Sequence, residues 1–205
     1  MKSSQWREYL EDQHVRHGKT LYTITELTHV AGVSPVALNV ELSRLRKHRI
    51  IEKYAHGLYG RPGAVSLETL VQAIDSHAYL SGHYALQLHN IVLQVPTIIT
   101  CVTDRRSPRA RRRTTPLGRL EFVCVQSRVY APPQDGLIAM PAQALCDFLY
   151  LSRRRGVRPE SLVAFTHLNR IDSNESANVL VRYPQTVQRH FHELLRSAGS
   201  ATCGN

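Results

Sequence analysis

The stretch TELTHVAGVSPVALNVELSRLRKHRI, Thr25 to Ile50, constrains the fold more than any other part of the chain. It holds two helical patterns broken once, by Gly32 and by Ser34 followed by Pro35. A glycine ends a helix cheaply, and a serine ahead of a proline is an N-cap with proline at the first helical position. The punctuation predicts a short helix over 26–31 capped by Thr25, a four-residue turn AGVS, and a longer helix from Pro35 to about His48. At 100° per residue, Leu38, Leu42, Leu45 and Arg49 share one side of that second helix. Val36, Asn39, Val40, Ser43, Arg44 and Lys47 share the other. The leucine side packs, and the opposite side faces out with an amide, a hydroxyl, two cations and two small apolar groups.

Short helix, turn and longer helix have helix-turn-helix proportions. The following segments IIEKY, AHG and LYG read as a β-hairpin in the place of a wing. The predicted N-terminal domain, 1–63, is therefore a winged helix-turn-helix. Its candidate DNA contacts are Ser34, Val36, Asn39, Val40, Ser43, Arg44 and Lys47 on the recognition helix, and Lys53, His56 and Arg61 on the wing. Asparagine suits an adenine edge, arginine a guanine edge or a phosphate, and valine a thymine methyl. An ordinary amphipathic surface helix would also be polar outside; the turn and the hairpin favour the DNA reading. Upstream, WREYLEDQHVRHG forms a preceding helix with Trp6, Tyr9, Leu10 and Gln13 on one face.

Charge sharpens this. Across 205 residues the formal net charge is +10, which favours a polyanionic partner. The basic residues are blocked: 64–104 and 129–152 hold none, while 105–113 reads RRSPRARRR, six arginines in nine residues. That block lies between two apolar, β-branched runs, TIITCV and LEFVCV. Two antiparallel strands joined by an arginine-rich tip are predicted, with Arg105, Arg106, Arg109, Arg111, Arg112 and Arg113 as auxiliary phosphate contacts. The competing reading is a solvated tip that protects the strands around it.

Residues 64–205 otherwise predict a helix through Leu67, Leu70, Val71 and Ile74, and a helix over 84–88 capped by Ser81 with Asn90 in the left-handed position after it. A short strand then precedes a helix opened by Pro141, whose apolar face includes Leu145, Phe148, Leu149 and Leu151. Two helical tail segments follow, SLVAFTHLNRID and ESANVLVRYPQTVQRHFHELLRS, the second broken at Tyr183-Pro184. The fold class expected is α+β: a winged helix-turn-helix, then a small antiparallel sheet flanked by helices.

The order AYLSGHYALQLHNI, PTIITCVTDRR, IAMPAQALCDFLYL, behind a hairpin ending GLYGRPG, resembles the AbiEi-type antitoxins of type IV toxin–antitoxin (abortive infection) systems. The likeness covers roughly residues 20–155, and Ala142-Gln143 stands where that family usually carries an acidic residue and an arginine. The resemblance implies a repressor whose winged helix binds operator DNA and autoregulates its operon; inverted repeats in that operator would mean that two copies bind together. It also implies a C-terminal domain that counteracts a nucleotidyltransferase toxin without requiring a stable complex.

Other classes are less well supported. Asp104 and Glu121 evoke a nuclease acidic pair, but the lysine expected two residues past the second acid is Val123; Asp104 is instead expected to neutralise the arginine block or cap a turn, and Asp147 to be a structural hydrogen-bonder. His77, His83 and His89, six apart, cannot share a helix face, and His190 and His192 diverge, so no metal is expected. No phosphate loop or nucleophile motif occurs, so neither catalytic residues nor a cofactor are predicted. Cys101, Cys124, Cys146 and Cys203 form no CxxC pair and read as reduced thiols, the first three structural. The N-terminus lacks an apolar leader core and no run suits a membrane helix, so a soluble cytoplasmic protein is expected. The alternatives to the antitoxin are a nucleic-acid-acting enzyme targeted by the winged helix and a solitary transcriptional regulator.

Overall fold

A computed structural model describes residues 1–106 and 111–202. It is a mixed α+β chain with eight α-helices and two small sheets among the described residues. The chain forms two compact units, 1–74 with 114–117, and 75–113 with 118–205. The sequence places a boundary at 63; the helix α4 (Leu67–Ile74), with Leu70 and Val71 buried, lies within the first unit's span.

The first unit contains α1 (Ser3–His17), β1 (Leu21–Thr23), α2 (Ile24–Ala31), α3 (Pro35–Lys47), β2 (Glu52–Ala55) and β3 (Leu58–Gly60), with the strands in the antiparallel order β1-β3-β2. Helix α2 begins two residues earlier than its pattern suggests. Thr23, not Thr25, is the cap: its hydroxyl accepts from the Glu26 amide at 3.2 Å, while the Glu26 carboxylate accepts from the Thr23 amide at 2.7 Å. Gly32 ends α2 in the left-handed conformation, and Ser34 caps α3 by accepting from the Ala37 amide at 3.3 Å. Strand β1 escaped the sequence because three residues carry no periodicity, and its pairing partner β3 lies far along the chain. The core is Trp6, Leu10, Tyr22, Leu27, Leu38, Leu42, Leu45, Ile50, Ile51 and Tyr59.

Gly60 shows how closely this sheet packs. A Cβ there would meet the Thr20 carbonyl oxygen at 2.5 Å and Val65 Cγ2 at 2.6 Å. Gly60→Ala should lower stability by about 1–3 kcal/mol, as overpacking does, read as a drop in the urea midpoint without a change in slope.

The second unit is built on a mixed four-stranded sheet, β4 (Tyr79–Ser81), β5 (Ile99–Thr103), β7 (Gly118–Cys124) and β6 (Arg112–Thr115) in that spatial order. The expected antiparallel hairpin between β5 and β7 is not formed. They pair in parallel, with Ile99 opposite Leu120 and Thr103 opposite Cys124. Strand β6 lies at the sheet edge, and the turn at Pro116-Leu117 leads from it into β7, which sits between β5 and β6. The true hairpin strand is RRTT, whose polarity disguised it as loop. Charged side chains belong on such an edge, where they discourage pairing with another chain. At the turn exit Gly118 has φ 124°, a conformation that favours glycine, and a Cβ there would lie 3.2 Å from Ile99 Cδ1, which would have to give way slightly.

Helices α5 (Gly82–Leu88), α7 (Ser173–Leu180) and α8 (Gln185–Thr202) pack on the central α6 (Pro141–Arg154). Helix α6 buries not one face but Ala142 to Leu149, Leu151 and Ser152. Ser81 does not cap α5 with its side chain, and α5 starts at Gly82, earlier than expected; Asn90 does take the left-handed conformation, φ 58°. The strand expected before α6 is a single parallel bridge from Ile138 to Leu80. The first tail segment is not a helix. It holds only 3-10 turns at Pro159–Ser161 and Leu168–Arg170, because Phe165 bridges to Val92 and the Thr166 amide bonds the Ile91 carbonyl at 2.7 Å.

Asp147 organises this core. Completely buried, it accepts from Ser81 (2.7 Å), Tyr183 (2.8 Å), Tyr79 (3.0 Å) and Gln143 (3.2 Å). Gln143 Nε2 also reaches the Tyr183 and Tyr79 hydroxyls at 2.7 and 3.2 Å, so it has a polar role inside the core. The reading of Asp147 as a structural hydrogen-bonder matches this geometry. Cys101, Cys124 and Cys146 are free thiols, and burial pushes the Cys101 and Cys146 thiols upward, away from reactivity.

Candidate nucleic-acid interface

Helix α3 divides as its periodicity demands. Leu38, Leu42 and Leu45 are buried, while Ser34, Asn39, Ser43, Arg44 and Lys47 are exposed and Val36 and Val40 are 77% and 71% exposed. Val36 and Val40 stand on the same exposed side as Asn39, Ser43, Arg44 and Lys47. Arg44 leans toward the N-terminus of α1, 3.5 Å from Glu41 and 3.4 Å from the Met1 carbonyl. Glu41 also accepts from the Trp6 indole at 2.8 Å and pairs with the N-terminal ammonium at 3.0 Å. Burial pushes its carboxyl upward, but the Trp6 bond and the two cations outweigh this and hold it below the usual range.

Arg49 departs from its sequence assignment to the leucine side. The helix stops at Lys47, the Ile50 amide bonds the Leu45 carbonyl at 2.9 Å, and the Arg49 amide bonds the Arg46 carbonyl at 3.0 Å. This closing motif needs a left-handed residue, usually glycine, and Arg49 fills it at φ 54°, exposed to solvent. Arg46 and Arg49, missed by the sequence reading, join Ser43, Lys47 and Lys53 around a cleft of about 790 Å³. A positive φ at a non-glycine cannot be read from helical periodicity, which simply continues the wheel.

On the β2-β3 hairpin Lys53 and His56 are exposed, with His56 at the tip. Arg61 is tied to Glu11 of α1 at 2.6 Å.

The strands that flank the arginine block are not the two arms of one hairpin, since β5 and β7 pair in parallel. Arg105, Arg106 and Arg111 line a cleft of about 780 Å³ where β5 and β7 end. Arg112 and Arg113 belong to the edge strand β6: Arg112 reaches Glu121 at 3.2 Å, and the Arg113 guanidinium lies 5.6 Å from the Phe122 ring centre. Arg109 lies outside the described residues. Glu121, buried, also binds Arg155 at 2.6 Å. Asp104 pairs not with arginine but with His77 Nδ1, at 3.0 Å.

Neither a family model nor a curated protein matches this chain. Among the described residues no helix is long and apolar enough to cross a membrane.

Proposed function

We propose that the first unit is a winged helix-turn-helix that reads duplex DNA, with α3 in the major groove and the β2-β3 hairpin as the wing. The observation that carries this is the α3 surface: two exposed valines flanked by Asn39, Ser43, Arg44 and Lys47, opposite three buried leucines. Arg46, Arg49 and Lys53 continue the positive charge from the end of α3 onto β2. Arg49 supports the reading further, since a left-handed arginine costs the chain about 1 kcal/mol that a glycine would not. The Arg44–Glu41 contact is a surface pair, worth about 0–1 kcal/mol, so the guanidinium can swing to a base at little cost.

The fuller proposal is a transcriptional repressor that acts as the antitoxin of a type IV toxin–antitoxin pair in the cytoplasm. The motif order shared with AbiEi-type antitoxins supports it. The nuclease alternative is disfavoured: Asp104 lies four residues beyond Thr100, the residue opposite Glu121, which separates the two acids by about 13 Å along the strands. Each also already faces a cationic or imidazole partner.

A reporter driven by the DNA upstream of the coding sequence tests the repressor, and co-expression with a neighbouring nucleotidyltransferase tests the antitoxin. Repression of the reporter and rescue of growth are expected. Repression without rescue would leave a solitary regulator, and neither effect would overturn the proposal.

A further inference from the structure

The cleft at the carboxyl ends of β5 and β7 belongs to the second unit alone and owes nothing to α3. In open sheets, crevices outside the carboxyl ends of neighbouring parallel strands are common ligand sites. Here Arg105 and Arg106 follow β5, Arg111 precedes β6, Gln126 follows β7, and Tyr150 and Arg154 face them from α6. The volume of about 780 Å³ falls within the range of small-ligand pockets.

The chemistry is one-sided. Four guanidinium groups meet one carboxylate, Asp104, whose charge is already turned to His77 at 3.0 Å. Arg105, Arg106 and Arg111 are exposed and have no carboxylate partner among the described residues. Arg154 is positioned rather than free: it donates to the Cys124 carbonyl at 3.1 Å and lies 5.7 Å from the Tyr150 ring centre. Guanidinium forks match phosphate oxygens, and an arginine layered on a tyrosine ring offers a flat surface for a base. A duplex backbone is convex, whereas this site is concave, so it suits a single nucleotide rather than a groove edge.

We propose that this cleft binds a phosphorylated nucleotide, free or at the unpaired end of a strand, with Arg105, Arg106 and Arg111 on the phosphates and Tyr150 with Arg154 against the base. Gln126, exposed at the rim, supplies an amide able to donate to and accept from a base edge.

The test uses the full chain and three probes: ATP, a 5′-phosphorylated single-stranded hexanucleotide, and a blunt duplex. Binding is followed by calorimetry and by maleimide labelling of Cys124, the partly exposed thiol that lines the cleft, in a Cys203→Ser background. Cys101 and Cys146 are buried and should label slowly. ATP, the hexanucleotide or both should bind and slow Cys124 labelling; ATP alone identifies a free nucleotide, and the hexanucleotide alone a strand end. Combined Arg105→Ala, Arg106→Ala and Arg111→Ala should weaken this binding about tenfold or more, since three charged donors to the phosphates are lost. Asn39→Ala with Arg44→Ala should leave it unchanged, which separates this site from the α3 surface. Should the alanine variant lose its folding transition, the three lysine substitutions replace it, keeping charge but losing the fork, with an intermediate loss expected. The proposal is overturned if neither ATP nor the hexanucleotide binds, if the arginine variants bind them normally, or if Cys124 labels at the same rate with ligand bound.

Discussion

Replacing Asp147 by alanine will destabilise the protein by about 2–5 kcal/mol, since buried donors lose their acceptor at about 1–3 kcal/mol each and a cavity is left beside them. The substitution leaves the hydroxyls of Ser81, Tyr79 and Tyr183 and the Gln143 amide without their shared acceptor. A loss of this size is a large part of the stability of a typical domain, so the expected readout is a marked fall in thermal midpoint. Asp147→Asn should cost less, because the amide keeps the shape and one acceptor while the hydroxyls can accept from its NH₂.

The two substitutions also differ in their response to pH. Burial raises the Asp147 carboxyl above its ordinary value, 3.8, although Ser81, Tyr183, Gln143 and Tyr79 all pull it down. A carboxyl raised in the folded state contributes stability that is full below the unfolded value and is lost as pH climbs through the folded one. The stability of the wild type relative to Asp147→Asn should therefore fall as pH rises above about 4. Urea unfolding at stepped pH measures this, and a relative stability that rises with pH would contradict the burial account.

Asn39→Ala and Arg44→Ala should each weaken operator binding by about 1–3 kcal/mol and relax the choice of base at the contacted position. Lys47→Ala should differ in kind. If it meets phosphate, all sequences are weakened together and the salt slope falls by about one unit. Operator affinity left intact by both Asn39→Ala and Arg44→Ala would mean that another face of the unit meets DNA. Arg49→Gly separates fold from function within one residue. Glycine relieves the left-handed conformation at φ 54°, so stability should rise by up to about 1 kcal/mol while DNA affinity falls.

The contrast between the two units explains what was legible in the sequence. Around α2 and α3 the determinants are local: Gly32, Ser34-Pro35 and the spacing of Leu38, Leu42 and Leu45 act within a turn or two of where they stand. Even there, the capping box places the N-cap of α2 at Thr23, because Glu26 reaches back to it rather than to Thr25. In the second unit the decisive pairings are distant. Ser81, Tyr79 and Tyr183 meet Asp147 from 66, 68 and 36 residues away, and only Gln143, one turn before it on α6, was within reach of a helical pattern. The parallel pairing of β5 with β7 was hidden for a related reason. Two β-branched runs with a short gap read as a hairpin, and nothing local reveals that an edge strand of arginine and threonine is made first. Once that strand is recognised, the block RRSPRARRR no longer has one role. Its first arginines and Arg111 face a cleft, and Arg112 and Arg113 hold an edge and a buried glutamate.

Competition binding with the chain's own upstream DNA tests the central claim most directly. Labelled upstream duplex is titrated with wild-type protein at salt high enough to suppress backbone binding, against unlabelled copies of itself and of a scrambled duplex. The account predicts preference for the upstream sequence by about 10³-fold or more, with most of it lost in Asn39→Ala, Arg44→Ala protein. Equal competition by the scrambled duplex would contradict it.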